Sequence, residues 1–421
     1  MNKKAKKGSS RTASRFSALL KVLLPSAVIL TLCIYGAVLL TGYIRDNSSP
    51  VIAFYGLEKN EIDGLTKTIE DYSAGKSIEC EFLSFDADKP LEEILSDNSG
   101  ISLLFVPGGH AVKSAVKDSD NNAFISAPEF SELTMSASAL AEISEGKIKA
   151  APVCTDFFYS DLAGITPEEA DKIRTVSDLR KYAEKLKRKY ENPVIFAGKD
   201  HDFVLDMLGA FAESLDGISS YNEAAEILKT SAGKKLTPAE TAALLCNDHS
   251  SPLKTTSILF SEMYRNGLIN PAAHTLNQQD ISALMEAKLC GITFTTLSEH
   301  RQYTPKAVQS FISKELPPAA ERKERTFTAK PVFAVPRSQG KKTLEITDAL
   351  FKRELQESIS RNTGLAPVNK SCRTPDTQAS DVRYFIAASS APVSGLSRET
   401  YLSPDFKKAL TAEILTSFRN R

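Results

Sequence analysis

Short apolar runs alternate with amphipathic stretches along the chain after its first 50 residues, and this pattern predicts an α/β fold. We expect strands over 51–56, 78–85 and 101–109, and a helix over 58–72 between the first two. The third strand runs into a Pro-Gly-Gly-His sequence at 107–110. Glycine lets the backbone approach a ligand closely, so this turn either binds a ligand through its amides or is a plain turn.

Capping residues mark several helix starts. The Thr-Pro-x-Glu sequences at 166–169 and 237–240 place a capping Thr before Pro and a Glu at the third helical position. Ser403 before a Pro opens the last predicted helix in a similar way, and Thr175 with Asp178 starts another. That helix carries aromatic or apolar residues along one face at helical spacing, namely Leu179, Tyr182, Leu186 and Tyr190. These patterns are structural and indicate no catalysis.

Residues 22–44 form an uncharged and mostly apolar run, and a helix of about 20 such residues crosses a bilayer core. Seven basic residues and no acidic residue precede it. Because basic segments stay on the cytoplasmic side, we expect 1–21 to be a cytoplasmic tail and 22–44 a single-pass anchor in the cytoplasmic membrane. The N-terminus would then lie inside, and the main domain would be periplasmic or extracellular.

Two alternatives to an uncleaved anchor stay open. A cleaved signal peptide normally has a shorter apolar region, of about 7–15 residues, and a small-residue exit sequence. Cys33 could be lipidated as in a lipoprotein, but the bulky Leu32 precedes it and further apolar residues follow it. Cys33 could also be a small apolar residue that faces lipid or packs against protein.

Basic and acidic residues are distributed unevenly between the first 45 residues and the rest of the chain. The whole chain has 52 basic and 52 acidic residues, but residues 1–45 hold eight of the basic ones and none of the acidic ones. The remainder therefore has 44 basic and 52 acidic residues, a net charge of −8, which argues against a nucleic-acid partner. The remaining cysteines lack metal-site spacing, and we expect most of them to be buried thiols: Cys80, Cys154, Cys246, Cys290 and Cys372.

Sequence patterns of enzymes and cofactor sites are missing. The chain has no G-x-S-x-G, no H-E-x-x-H and no dinucleotide-binding glycine motif. The Gly-Lys-Lys at 233–235 lacks the earlier glycine of a phosphate-binding loop, so a helix end is the simpler interpretation. Cys246, Asp248 and His249 could form half of a zinc site, but no second pair follows at suitable spacing. We therefore expect no enzyme activity, no metal and no cofactor.

Residues 146–179 carry a resemblance to a known family. The order of residues resembles family-1 extracellular solute-binding proteins, the maltose-binding-like receptors of ABC importers. The matching positions are Gly146-Lys147, Pro152, Tyr159, Asp161-Leu162, Gly164, Pro167 and the Thr-Val-Ser-Asp-Leu sequence at 175–179. Two further blocks are similar to later parts of that family. The first, at 259–294, contains the matching positions 267–271 and 287–290, and the second, at 350–369, contains Gly-Leu-Ala-Pro-Val at 364–368.

The resemblance implies a two-lobed α/β fold of the periplasmic-binding-protein type II class, with a hinge and an interlobe ligand cleft, preceded by the transmembrane helix. The stretch at 158–179 would hold the first crossing between lobes and the first helices of the second. We expect 50–155 to begin lobe 1, 156–290 to form lobe 2, and 291–421 to complete both lobes.

Candidate ligand groups follow from position in this resemblance. They lie at the ends of expected strands and at the expected crossing: Tyr55, Gly56, Gly108, Gly109, His110, Asp156, Phe157, Phe158, Asp200, His201, Asp202, Phe203, Thr295 and Thr296. Each could instead be a solvated loop group or a core aromatic residue.

The chain departs from the family in one respect that bears on the ligand. It has no Trp, and Val176 stands where the family usually has one. Sugar-binding members often stack sugar rings on Trp, so here Tyr or Phe would have to serve.

The resemblance implies a membrane-anchored solute-binding protein that captures a small solute, a sugar or oligosaccharide first, and delivers it to an ABC permease. An alternative is a solute-binding-like ectodomain with a sensory or structural role and no transport. An extracytoplasmic hydrolase is a third hypothesis, weakened by the lack of a nucleophile and base motif. A cleft filled by the protein's own side chains would favour the second hypothesis over the first.

Overall fold

The computed structural model describes residues 49–119, 123–126, 132–144, 146–319, 328–374, 376, 378–380 and 393–420. The expected membrane anchor at 22–44 and Cys33 lie outside these ranges. Within them, no helix is both long and apolar enough to span a membrane.

The described chain alternates strands and helices, as the polarity pattern predicts. The strands are β1 (Val51–Tyr55), β2 (Glu81–Phe85), β3 (Leu103–Pro107), β4 (Glu142–Ser144), β5 (Lys147–Ala163), β6 (Asn192–Ile195), β7 (Cys290–Thr296), β8 (Phe311–Glu315), β9 (Ala329–Pro336) and β10 (Ala366–Pro367). The helices before β6 are α1 (Lys59–Gly75), α2 (Leu91–Asp97), α3 (His110–Lys117), α4 (Met135–Leu140), α5 (Pro167–Ala170) and α6 (Val176–Leu186). The helices after β6 are α7 (His201–Asp216), α8 (Ile218–Lys234), α9 (Pro238–Cys246), α10 (Lys254–Arg265), α11 (Gln278–Glu286), α12 (Leu297–His300), α13 (Pro305–Val308), α14 (Lys341–Ala349), α15 (Arg353–Thr363) and α16 (Pro404–Asn420).

The strands follow the order β2-β1-β3-β9-β5-β7-β6. β1 pairs in parallel with β2 on one side and with β3 on the other, while β9 runs antiparallel between β3 and β5. The chain therefore leaves β1 toward one side of the sheet for β2 and returns to its other side for β3. Such a reversal opens a crevice at the carboxyl ends of β1 and β3.

β5 is the strand that joins the two halves of the molecule. It has 17 residues, all of them buried after Lys147. Its first part pairs with β9 and β10, and its last part, from Phe158 to Ala163, pairs with β7 and β8. The register shifts between Pro152 and Cys154, which accommodates a proline that has no N–H to donate to a ladder.

Buried side chains form separate cores on the two sides of this junction. The first half, around β1, β3 and β9, has one cluster on each sheet face, with Phe54 and Phe105 in one and Tyr55 and Phe333 in the other. The second half has a single large cluster around α7, to which the last helix, α16, contributes Phe418. Consecutive residues of β5 therefore support different cores.

The expected helix starts are confirmed. Capping boxes join Thr166 to Glu169, Thr175 to Asp178, and Thr237 to Glu240. α16 begins at the predicted Ser-Pro sequence, where the Ser403 hydroxyl accepts a hydrogen bond from the Phe406 N–H. The apolar face predicted for α6 is also present, because Leu179 and Leu186 are buried and Tyr182 and Tyr190 pack against the same core.

The expectation for the region before β3 was incomplete. α2 (Leu91–Asp97) lies between β2 and β3, where no helix was predicted. It is one of the shorter helices and begins after Pro90 without a side-chain cap, so it lacks the usual sequence marker of a helix start. Leu91, Ile94 and Leu95 nevertheless bury its inner face.

Close helix packing in the first half depends on one glycine. A Cβ atom at Gly64 of α1 would lie 2.7 Å from the backbone nitrogen of Thr363 and 2.8 Å from the carbonyl carbon of Asn362. Both neighbours are at the end of α15, and backbone atoms cannot move aside as a flexible side chain can. The spacing between α1 and α15 therefore requires glycine.

We predict that Gly64→Ala destabilises the protein although Ala favours helix. Overpacking costs about 1–3 kcal/mol, which exceeds the gain of up to about 1 kcal/mol from helix propensity. Gly75→Ala in the same helix is the matched control, since a Cβ there meets nothing within 4 Å. Urea unfolding should show a lower midpoint for the first variant only, and equal midpoints would refute this packing argument.

Candidate functional site

A cleft lies between the two halves, at the carboxyl ends of β1 and β3. The space along its walls amounts to about 630 Å³, part of which is open solvent. The first half contributes Tyr55, Gly56, Glu58, Ala87, Pro107, Gly108, His110 and Ala111, and the rest of the lining is Asp202, Lys330, Ser397, Arg398, Thr400, Tyr401, Leu402 and Lys407. This is the crevice that the strand order creates.

A wider groove of about 1,180 Å³ lies on the surface of the second half, between Gly164 and α6. Four lysines line it, namely Lys172, Lys181, Lys185 and Lys189, and all four are exposed. It draws no residue from the first half. The cleft between the halves is therefore the better candidate site.

The first-half wall of the cleft consists of strand ends and the turn into α3. Gly109 has φ +87° and caps α3 without a side-chain hydrogen bond, and a Cβ there would lie 2.3 Å from the Arg398 carbonyl oxygen. Glycine is required at this position by both conformation and space. The Tyr55 hydroxyl donates to the Lys89 carbonyl at 2.8 Å, which fixes the ring as part of the wall.

The second-half wall is the start of α7 together with α16. Asp200 caps α7 by accepting the Phe203 N–H at 3.0 Å, and burial raises the pKa of its carboxyl to about 6. Two residues later, Asp202 pairs with Lys407 of α16, with 2.5 Å between Oδ1 and Nζ. This ion pair forms part of the cleft lining.

Lys330 of β9 forms the floor of the cleft and is 6% exposed. Its Nζ lies 3.4 Å from Oδ2 of the fully buried Asp206 of α7. A buried ammonium is costly unless it is paired, and its carboxylate neighbours Asp206, Asp156 and Glu299 raise the pKa of Lys330 despite the opposing effect of burial. Lys330 is therefore a fixed positive charge beneath the cleft.

Residues 393–402, here called the cleft segment, run between the halves and contact both. In the second half, the Ser397 N–H donates to Asp206 Oδ1 at 2.9 Å, and the buried Leu396 packs beside Gly209. In the first half, the Tyr401 hydroxyl donates to the Asp88 carbonyl at 2.8 Å. The segment thus fills part of the space between the lobes with the protein's own atoms.

Arg398 is the basic residue of the cleft segment, which also contains the acidic Glu399. Its Nη1 atom is buried and, within the described part of the chain, has no hydrogen-bond partner. The guanidinium acts electrostatically on Glu61, a buried carboxyl at the start of α1. Burial raises the Glu61 pKa to about 7 even though Arg398 opposes that rise.

The structure brings together some of the residues expected from the sequence. Tyr55, Gly56, Gly108, His110 and Asp202 line the cleft, and Gly109 adjoins it through its contact with Arg398. Asp200 acts as the cap of α7. His201 points toward α16, with Nδ1 2.9 Å from the Thr411 hydroxyl.

The remaining expected residues face the interior and do not line the cleft. Phe157 packs in the first-half core, whereas Phe158 and Phe203 pack in the second. The Asp156 carboxylate accepts the N–H groups of Phe157 and Ser298 within the wall. Thr296 caps α12 and Thr295 is buried beside Glu299. Both faces of β5 and β7 are covered by packed elements, so their side chains cannot reach the cleft.

The sequence did not suggest several residues of the lining. They include Lys330, Arg398, Tyr401 and Lys407, which are far in sequence from Tyr55 and Gly108 at the ends of β1 and β3. The only sequence marker near them is the Ser403-Pro404 helix start, which places Lys407 on the first turns of α16. Among the described residues, no group of three His, Cys, Asp or Glu side chains could hold a metal ion.

Comparison with solved structures shows the fold that this arrangement belongs to. The chain is similar to the bacterial solute receptor AcbH, described as having an exclusive preference for β-D-galactopyranose, with a TM-score of 0.64, 12% identity, and coverage of 88% of this chain and 97% of that one. It is also similar to the binding protein MsmE from Bacillus subtilis in an open conformation, with a TM-score of 0.61, 14% identity, and coverage of 89% and 94%.

A third similar structure is a sugar transporter from Bacillus licheniformis in complex with stachyose, with a TM-score of 0.60, 13% identity, and coverage of 88% and 98%. No protein-family model and no curated protein sequence matches the chain. At these identities the likeness shows the fold, which is the mixed α/β fold of periplasmic solute-binding proteins, as the resemblance had implied.

We predict that Glu61 makes the protein less stable as the pH rises from about 4.5 to about 7. Its folded-state pKa is raised from 4.5 to about 7, so the native state holds a proton that the unfolded chain releases over this interval. The contribution is on the order of 3 kcal/mol. The difference in free energy of unfolding between wild type and Glu61→Gln should therefore change across this window.

Glu240→Gln is the matched control for that measurement. Glu240 holds the same third helical position in a capping box, but it is exposed and its pKa is lowered by the hydrogen bonds it accepts from Thr237. The ionisation of Glu240 affects stability only below about pH 4.5, where the free energy of unfolding increases as the pH rises. A Glu61→Gln profile parallel to that of wild type between pH 4.5 and 7 would contradict the raised pKa.

Proposed function

We propose that this protein is a membrane-anchored, extracytoplasmic solute-binding protein that captures a small solute in the cleft between its halves for an ABC importer. The observation that carries the proposal is the position of the cleft. It lies at the carboxyl ends of β1 and β3, where the strand order reverses, and it draws its lining from both halves. Ligands of open α/β sheets bind at such points.

The hinge geometry is consistent with capture by closure. β5 belongs to the pairing of both halves, so the halves can move relative to each other about the strands that connect them. A solute that contacts Tyr55 or His110 on one side and Asp202 or Lys407 on the other would favour the closed form. It would shift the equilibrium by its differential affinity for that form.

A sugar or oligosaccharide is the first candidate ligand, because the similar structures include a β-D-galactopyranose receptor and a stachyose complex. The aromatic side chains of the lining are Tyr55 and Tyr401. Tyr55 is 4% exposed, so a sugar would meet an edge of its ring rather than a broad stacking platform. Polar and charged side chains would therefore carry most of the recognition.

The expected anchor at 22–44 and the fold together support delivery of the solute to a permease in the membrane. A receptor tethered beside its permease meets it at a high effective concentration. The anchor and the permease are both open to direct test by fractionation of membranes and by co-purification.

A second candidate function is favoured by the cleft segment. Residues 393–402 occupy space between the halves and bond to both, through Asp206 on one side and Asp88 on the other. An ectodomain that has lost transport and serves a sensory or structural role would keep such a filled cleft permanently. In a transport receptor, the segment would form one wall beside the solute.

We predict that the full chain, purified in mild detergent, is stabilised by at least one member of a panel of sugars and oligosaccharides. A ligand specific for the native state adds about 2.7 kcal/mol of stability at one hundred times its dissociation constant. Thermal unfolding measures the stabilisation.

We also predict that Asp202→Asn weakens solute binding about tenfold or more, because it removes the charge that holds Lys407. Calorimetric titration measures the change in affinity.

Asp405→Asn is the control for the second effect, because Asp405 is exposed at the start of α16 and does not line the cleft. It should bind as wild type does. A well-folded wild-type chain that responds to no solute of any charge would reject the receptor function and favour the ectodomain without transport.

A further inference from the structure

Some charged side chains of the cleft have an oppositely charged partner within the protein, and others do not. Asp202 is held by Lys407 at 2.5 Å. Glu58, another residue of the lining, donates its backbone N–H to the Glu61 carboxyl group at 2.8 Å. Lys330 has Asp206 at 3.4 Å. Within the described chain, Arg398 has no carboxylate within 4 Å, and its buried Nη1 atom has no hydrogen-bond partner.

Two cationic side chains lie near each other at this point of the cleft. Arg398 and Lys330 both line it, and repulsion from Arg398 partly offsets the carboxylates that raise the pKa of Lys330. The eight-residue helix α3 begins at the same place without a side-chain cap, and its first residues, His110 and Ala111, also line the cleft. An anion between these groups would reduce the repulsion between the cations and meet the positive end of the helix.

The carboxyl groups behind the floor are buried. Burial raises the pKa of Glu61 to about 7, and it also raises the pKa of Asp156 and Glu299. Burial therefore favours the neutral form of these carboxyl groups and weakens their negative charge.

We propose that the solute bound in this cleft carries an acidic group, a carboxylate or a phosphate, which pairs with the Arg398 guanidinium beside the first turn of α3. This inference rests on the proposed receptor function and narrows its substrate class from sugars in general to acidic sugars. Arg398 is suited to the role because its planar fork binds an oxyanion through two parallel N–H groups. Lys330 adds a second charge from the floor.

The test compares matched probes on the full chain in mild detergent by calorimetric titration. The probes are neutral hexoses, their uronic acids, their 6-phosphates and their amino sugars. We expect an acidic form to bind at least tenfold more tightly than its neutral parent. That preference should decline as sodium chloride is raised, since added salt screens the pairing. The two acidic series separate a carboxylate ligand from a phosphate ligand.

Arg398→Gln should bring the affinity for the acidic probe down to that for its neutral parent. Arg180→Gln, on the surface of α6 where it pairs with Glu184 and Glu262, should leave the preference unchanged. Equal or tighter binding of neutral or amino sugars by wild type would overturn the acidic-ligand inference while leaving the receptor function intact. No binding of any probe by folded wild type would reject both. The wild-type comparison decides the inference even if Arg398→Gln proves unstable.

Discussion

The hydrogen-bond ladder of β5 is the constraint on which the rest of the structure depends. One uninterrupted strand pairs with β9 and β10 in the first half and with β7 and β8 in the second. Its consecutive residues Phe157 and Phe158 pack in different cores. Each half therefore takes its position from the same backbone, and the cleft inherits its shape from that strand. Unpaired backbone groups are costly when buried, so the ladder limits relative motion to twisting and bending of the connecting strands.

The sequence predicted the parts of this fold that depend on local rules. Helix starts were correct where Thr166, Thr175 and Thr237 cap the chain, because a cap is decided by residues three positions apart. α2 was missed because it begins after Pro90 with no side-chain cap. The ends of β1 and β3 also pointed to Tyr55 and Gly108, which line the cleft.

Long-range pairing limited the prediction of the site. Arg398 and Lys330 reach the cleft only because β9 lies between β3 and β5 and because the cleft segment crosses between the halves. Phe157, Phe158 and Phe203 are aromatic residues of the kind that stack on ligands, but in the structure they are buried in the cores. The sequence alone does not distinguish a core aromatic residue from a ligand-stacking one. Nothing in the sequence indicated that Lys330 pairs with Asp206, because the two residues lie on distant parts of the chain. Such a buried pair adds little net stability.

The position of α16 in the chain has a consequence for biosynthesis. This helix follows every other described element, yet Leu410, Ile414 and Phe418 bury themselves in the second core, and Lys407 completes the cleft wall. The elements of the first half, up to α15, precede α16 in the chain and can pack before it, since folding during synthesis proceeds from the N-terminal side. The second core stays open on one side until α16 has been synthesised. An interrupted polypeptide would therefore expose apolar surface to chaperones and proteases, and only chains with an intact α16 would persist with a formed cleft.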